Sequence, residues 1–173
     1  MNWKIIRKEV LSDQEQQTLL EWDNDLFGMG SAGFDWIQWR DAETRFIGYE
    51  DNQPVSHVGV LNHLLAAKGN PLKIGGIVEV VTIPHARNKG YAQKLLHEAI
   101  EYMRQEIHSD FGLLFCMPAV VPYYNRLGWH LIENIIIFEQ DSGKVKSPLP
   151  SMIYPLSNKQ WPKEDVLLGC RPW

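Results

Sequence analysis

Apolar and polar positions divide the chain into short elements of two periods. "WKIIRKEV" predicts a short first strand, and "LSDQEQQTLLEWDNDLF" a helix. Ser12 and Glu15 have capping-box spacing, so each can satisfy a free backbone N–H of that helix's first turn. "GMGSAG", Gly28 to Gly33, breaks the pattern; beside "FDWIQWRD" it reads as a lid, a substrate loop or a plain surface connection. "TRFIGYEDNQPVSHVGVLNHLL" predicts two strands around the turn "EDNQP", with a second turn at Gly69-Asn70-Pro71. "GIVEVVTI" is rich in β-branched residues and predicts a largely buried strand. From Gly90 the period lengthens. Ala92, Leu95, Leu96, Ala99, Ile100, Met103 and Ile107 step by three and four, the apolar face of one helix. "FGLLFC" predicts a strand, and "VVPYYNRLGW" a short helix with Pro122 in its first turn and Gly128 ending it. "WHLIENIIIFEQ" reads as one strand and "SGKVKSPLP" as a polar linker. "SMIYPLS" and "EDVLLGC" are late apolar pieces.

Hairpins followed by strand–helix–strand–helix–strand predict an α/β fold, a mixed central sheet with helices on both faces, formed by one domain over residues 1–173. The unit from Ile77 to Cys116 implies a parallel pair, or a splayed near-parallel one. With 45 % hydrophobic and 22 % charged residues the composition is that of a soluble globular protein. The net charge of -4 and the lack of a basic run argue against nucleic acid as a partner and suit a cationic substrate better. Cys116 and Cys170 form no CxxC pair and no zinc spacing, so free thiols and no metal are expected. The start has no apolar signal core and no run reaches membrane-spanning length. The expected location is the cytoplasm, with no membrane partner.

Between "VEVVTIPHA" and "QKLLHEAIEYM" stands "RNKGYA": Arg87, Asn88, Lys89, Gly90, Tyr91 and Ala92. A helix start exposes unpaired N–H groups and carries roughly half a positive charge. Gly90 allows close approach to the backbone, and Arg87 and Lys89 add full charge, so the junction suits a phosphate or pyrophosphate. The patterns GxxxxGK[ST] and GxGxxG are both absent. On composition alone a solvated surface turn stays open.

The pattern R-x-x-G-x-[GA], filled by Arg87, Gly90 and Ala92 after a β-rich strand, resembles the acetyl-CoA-binding loop of the GNAT acyltransferase superfamily. "YYNRLGW" resembles that family's Y-x-x-x-G-[FW] segment, with Tyr124, Gly128 and Trp129 in place. The two motifs lie in the expected order, and the resemblance covers roughly residues 45 to 138. "VTIPHAR" is one residue shorter than usual before the arginine, so the resemblance assigns no role to His85 and Ala86. The stretch "PVSHVGVLNHLLAAKGNPLKIGGIVEVVTI" and the ends "MIYPLS" and "LLGCRPW" resemble the aminoglycoside 2'-N-acetyltransferases, and "SHVGVL" also resembles the NodA-type acyltransferases. Both groups acylate an amine on a sugar. Arg171 departs from the acidic residues of the aminoglycoside enzymes and would repel a polyamine.

The resemblance implies acetyl-CoA as acyl donor and a small-molecule amine as acceptor. Amine acylation needs a base for the ammonium and an acid for the leaving thiolate. Glu79, the one acidic residue of "GIVEVVTI", is the candidate base, since partial burial would raise its pKa; a paired strand-edge carboxylate is the alternative. The resemblance makes Tyr124 the candidate acid; an aromatic capping a helix is the alternative. Val81 and Ile83 could pair by their backbones with the pantetheine arm if the neighbouring strand splays away. A backbone N–H near Val80 or Val81 could polarise the acetyl carbonyl. Arg87 to Ala92 would hold the pyrophosphate. Asp35, Trp36 and Trp39, with Trp173 of the "CRPW" end, are candidate acceptor contacts. Nothing marks one of the six histidines as a base, and Cys116 reads as a buried strand residue. A non-catalytic acyl-CoA sensor, a longer acyl donor, and a homodimer paired through the C-terminal strand remain open alternatives.

Overall fold

The computed structural model describes the backbone of residues 3–26, 33–67 and 70–173, and the side chains of all of these but 23–26. Most of the expected Gly28–Gly33 break, and Gly69 of the second turn, lie outside the described residues. The chain runs β1 (Trp3–Lys8), α1 (Asp13–Leu26), β2 (Thr44–Glu50), β3 (Gln53–Leu65) and β4 (Leu72–Thr82). It continues through α2 (Tyr91–Gln105), β5 (Phe111–Phe115), α3 (Val121–Arg126), β6 (His130–Leu131), β7 (Ile136–Gln140), β8 (Gly143–Lys146), β9 (Ser151–Pro155) and β10 (Val166–Leu167). Seven strands form one sheet in the order β1-β2-β3-β4-β5-β9-β6, and β10-β7-β8 form a second. The first is mixed: β4 and β5 are parallel, and the other pairs are antiparallel.

The capping box forms as spaced. The Ser12 amide donates to Glu15 Oε2 at 2.9 Å, and the Glu15 amide to Ser12 Oγ at 3.4 Å. The α2 face is also as spaced, with Leu95, Leu96, Ala99, Ile100 and Met103 buried against Phe46, Val60, Ile77, Leu114 and Trp129. Its first buried residue is Tyr91 rather than Ala92, and Ile107 lies past its end. The opposite sheet face carries a second core of Leu61, Leu65, Ile74, Val78, Leu113, Phe138 and Trp173. Successive strand residues point to opposite faces, so Gly75 lies against Met103 of the helix layer and Gly76 against Trp173 of the other.

Two readings of the C-terminal third are corrected. "WHLIENIIIFEQ" is two strands in two sheets, β6 and β7, because Asn134 makes its own bonds between them. Its side-chain amide donates to Pro162 and Glu164 carbonyls, and the Ile135 amide donates to Asp165. "SGKVKSPLP" is not only a linker: β8 pairs with β7 through a tight turn in which Gly143 has φ 111°, and Val145 packs on the core opposite Phe138.

Candidate active site

The parallel β4–β5 pairing is brief. Ile74 lies opposite Phe111, Gly75 opposite Gly112 and Gly76 opposite Leu113. Beyond Gly76, β4 continues to Thr82 and β5 to Phe115, but no further rungs join them. The strands part, as the sequence allowed, and leave a backbone edge on β4 without a strand on its β5 side. Trp173 lies at the fork: it is 4 % exposed, its indole N–H donates to the Leu113 carbonyl at 3.1 Å, and a Cβ on Gly76 would collide with it.

Along this same stretch, on its β3 side, β4 carries a bulge. Val78 lies opposite Gly59 and Val81 opposite His57, so Glu79 and Val80 together face Val58. The extra residue inverts the side-chain alternation beyond it: Val78 packs in one core and Val80 in the other. Glu79 has φ 51°, a left-handed conformation that costs a non-glycine residue roughly 1–2 kcal/mol. Its side chain is 33 % exposed, and Oε2 stands 3.7 Å from His57 Nδ1. The same His57 nitrogen lies 2.9 Å from the Glu79 carbonyl oxygen.

Tyr124 comes from the other side of the fork, on α3 after β5. It is buried, edge-on to Trp129 (6.3 Å) and Tyr123 (5.2 Å). Burial, reinforced by Cys116 and Tyr123, holds its phenol well above the usual range, which keeps it protonated at neutral pH. Burial likewise pushes the Cys116 thiol up to about 11, so it is an inert thiol and not a thiolate. Both cysteines are free.

The loop ahead of α2 has the form of an anion cradle. Asn88 and Gly90 have φ 63° and 77°. Gly90 caps α2 without a side-chain bond, and the first intrahelical bond runs from the Lys94 amide to the Gly90 carbonyl. The amides of Tyr91, Ala92 and Gln93 therefore leave the helix end unpaired within the helix. A Cβ on Gly90 would meet nothing within 4 Å, so a ligand can approach. Arg87 is steered by its Nε–H, which donates to the Thr82 carbonyl at 3.0 Å. These groups fit the diphosphate of an acyl-CoA.

Two of the expected cofactor contacts are engaged elsewhere. The Ile83 amide donates to the Val55 carbonyl at 3.1 Å and its carbonyl accepts from the Ala86 amide at 3.0 Å, so its N–H is not available to pantetheine. Lys89 Nζ lies 3.0 Å from both oxygens of Glu50, which also accepts the Tyr91 hydroxyl. Tyr91 in turn stacks on Trp3 at 3.9 Å, with Lys94 Nζ 5.8 Å from each ring. Glu50 thus clamps both flanks of Gly90, with its own carboxyl held low by the Tyr91 bond and Lys89. Glu50 and Trp3 escaped the sequence reading, since no local spacing links them to residue 90. Val81 is buried, and its carbonyl accepts the Ser56 hydroxyl at 2.9 Å.

Of the acceptor candidates, Asp35 and Trp36 are exposed. The segment they open is tied to the β7–β8 turn, where Gln38 donates to Asp141 at 2.8 Å, and to the C-terminal tail, where the Arg40 amide donates to the Pro172 carbonyl at 2.7 Å. Arg171 pairs with Asp141 at 2.7 Å. Both side chains stay exposed in this pair, so water screens it. Among the described residues no group of His, Cys, Asp and Glu is placed to hold a metal ion, and no helix is long and apolar enough to cross a membrane.

The acetyltransferase (GNAT) domain family model matches residues 6–132. Solved structures of similar fold include Arabidopsis thaliana NAA60 in complex with a bisubstrate analogue, at 12 % identity over 91 % of this chain and 100 % of that one, TM-score 0.63. Escherichia coli ElaA is similar at 14 % identity over 88 % and 98 %, TM-score 0.61. So is an acyl-CoA N-acyltransferase from Pseudomonas aeruginosa, at 16 % identity over 88 % and 99 %, TM-score 0.61. At these identities the likeness carries the fold. No curated protein sequence matches the chain.

Proposed function

The chain belongs to the GNAT acetyltransferase family, and we propose that it transfers an acetyl group from acetyl-CoA to a primary amine of a small molecule, an amino sugar foremost. The observation that carries this reading is the bulge in β4 where its β5-side edge is open, which leaves Glu79 half-exposed beside the point where β4 and β5 part. Bound there, the donor supplies an activated thioester carbonyl. The chain supplies the rest. The edge of β4 around Val81 aligns the pantetheine arm, and an N–H near Val80 or Val81 polarises the carbonyl. Arg87 and the amides of Asn88 to Ala92 hold the diphosphate. Lys89 acts through Glu50 on the shape of the loop.

Glu79 takes the proton that the acceptor ammonium must lose before its nitrogen can attack. Tyr124, protonated in its apolar pocket, gives a proton to the departing sulfur. Asp35 and Trp36, with Trp39, offer an acidic and aromatic surface to a cationic sugar. Trp173, buried at the fork, shapes the acceptor side from beneath.

Release of free thiol from acetyl-CoA in the presence of glucosamine, an aminoglycoside, free amino acids and a short peptide tests the reading. Turnover with the sugars at the highest kcat/KM supports it. Turnover with the peptide or amino acids alone would move the acceptor class, and binding of acetyl-CoA without turnover on any amine would refute the enzyme.

A further inference from the structure

We infer that His57 is a positioning residue of this site: the Nδ1–H of its buried imidazole holds the Glu79 carbonyl and so fixes the bulge that sets where the Glu79 carboxylate stands. The inference rests on the reading of Glu79 as the base.

The bulge poses two physical problems. An extra residue removes one backbone carbonyl from the ladder, and a buried carbonyl left without a donor is destabilising. The bulged residue is also a glutamate at φ 51°, where a glycine would be at ease. Strained backbone of this kind persists only when its surroundings hold it. His57 is placed to do so. It is 0 % exposed, on the neighbouring strand, and its Nδ1 lies 2.9 Å from the Glu79 carbonyl oxygen. A carbonyl can only accept, so Nδ1 carries the hydrogen, and Nε2 is the bare nitrogen. That second nitrogen is buried with no hydrogen-bond partner among the described residues. An imidazole at this depth has a desolvation penalty that a valine, like Val55, Val58 and Val60 around it, would not have. The bond to Glu79 is what offsets it.

The neighbourhood keeps the ring neutral. Burial, with Arg45 nearby, lowers His57 to about 4, against the opposing pull of the Glu79 carbonyl. Glu79 Oε2 stands 3.7 Å from Nδ1, beyond hydrogen-bond distance. The ring is therefore uncharged at neutral pH, and its part here is to place the Glu79 carboxylate. The gap in pairing between His57 and Gly59 on β3 is the mark of the arrangement in the strand register.

Three substitutions separate positioning from bulk. His57→Asn puts an amide N–H where Nδ1 stands, His57→Gln puts one where Nε2 stands, and His57→Val removes the donor. With acetyl-CoA and glucosamine, H57N is expected to keep kcat within about threefold, while H57Q and H57V lose at least about thirtyfold, the scale of a misplaced acid–base group. The KM for acetyl-CoA should change less than about threefold in all three, because the diphosphate loop is untouched. In an E79Q background, H57V should cost less than about twofold further, since the two residues act as one unit. Equal losses in H57N and H57Q, or a full further loss in the E79Q background, would overturn the inference. Imidazole ¹⁵N shifts of the wild-type protein give a readout independent of turnover. His57 should appear as the Nδ1–H tautomer and stay neutral down to about pH 5, below the ordinary range of histidine. An Nε2–H tautomer, or titration near the ordinary value, would overturn the inference even if no variant folds. Full turnover in E79Q with the Nδ1–H tautomer intact would instead refute Glu79 as the base.

Discussion

Gly76→Ala tests how the fork is held open. A Cβ built at Gly76 would stand 2.4 Å from Trp173 Nε1, 2.5 Å from Cε2 and 2.7 Å from Cδ1. The indole has nowhere to retreat. It is 4 % exposed, with the His63 ring 5.4 Å and the Phe115 ring 5.9 Å away. Overpacking of this kind costs about 1–3 kcal/mol. A displaced indole also loses the Leu113 carbonyl, and an unsatisfied buried N–H costs about 1–3 kcal/mol more. A total near 3 kcal/mol, at about 2–4 °C per kcal/mol for a chain of this size, lowers Tm by about 6–12 °C. Gly75→Ala is the control. Its Cβ would meet the Met103 sulfur at 2.2 Å and its Cγ at 2.6 Å on the opposite face; Met103 is just as buried, but its unbranched thioether chain can change rotamer where a planar indole cannot. Its cost is about 1 kcal/mol, or about 2–4 °C. Because the Gly76–Leu113 rung is the last before the strands part, KM for acetyl-CoA should rise in G76A and not in G75A. Scanning calorimetry and tryptophan fluorescence read the first effect, and thiol release the second. A G76A protein within about 2 °C of wild type, or G75A as the more damaged of the two, would refute the reasoning.

Tyr124→Phe should lower kcat by about 10²–10³ with Tm nearly unchanged; unaltered turnover would remove the phenol from the mechanism. Arg87→Ala should weaken coenzyme A binding by about tenfold in calorimetric titration. Lys89→Ala should weaken it by less than about threefold, because that cation is already paired with Glu50; equal losses would mean that Lys89 leaves Glu50 when the donor binds. Burial alone would raise the Glu15 carboxyl, but bonds from Lys8, Tyr49 and Ser12 outweigh it and hold the group at about 2. The unfolded chain then takes up this proton first. The stabilisation is complete above about pH 4.5 and is lost as pH falls towards 2, a slope that Glu15→Gln should flatten in urea titrations.

Much of this protein is written in local pattern. The three- and four-residue steps of Leu95 to Met103, the Ser12–Glu15 box, the β-branched run of β4 and the Arg87–Ala92 junction all appear where the pattern predicts them. Each depends on residues near one another in the chain, so the period and the cap chemistry suffice. The C-terminal third was less legible. "IENIIIF" has the composition of one strand, and only the bonds of Asn134 to residues 162 and 164 show where it breaks.

The chain alone determined which groups are candidates: a helix start without a side-chain cap, a glycine for approach, an arginine beside it, and a strand with a single carboxylate. Tertiary structure decided which of those groups are available. It turned Lys89 to Glu50, an acid 39 residues away, and tied the N–H of Ile83 to Val55. It paired Arg171 with Asp141 and buried Trp173 at the fork. It also opposed two residues of β4 to one of β3, which put His57 beneath Glu79. Period and spacing describe a segment by itself, whereas an ion pair or a bulge depends on register between segments, and register exists only once the sheet has formed.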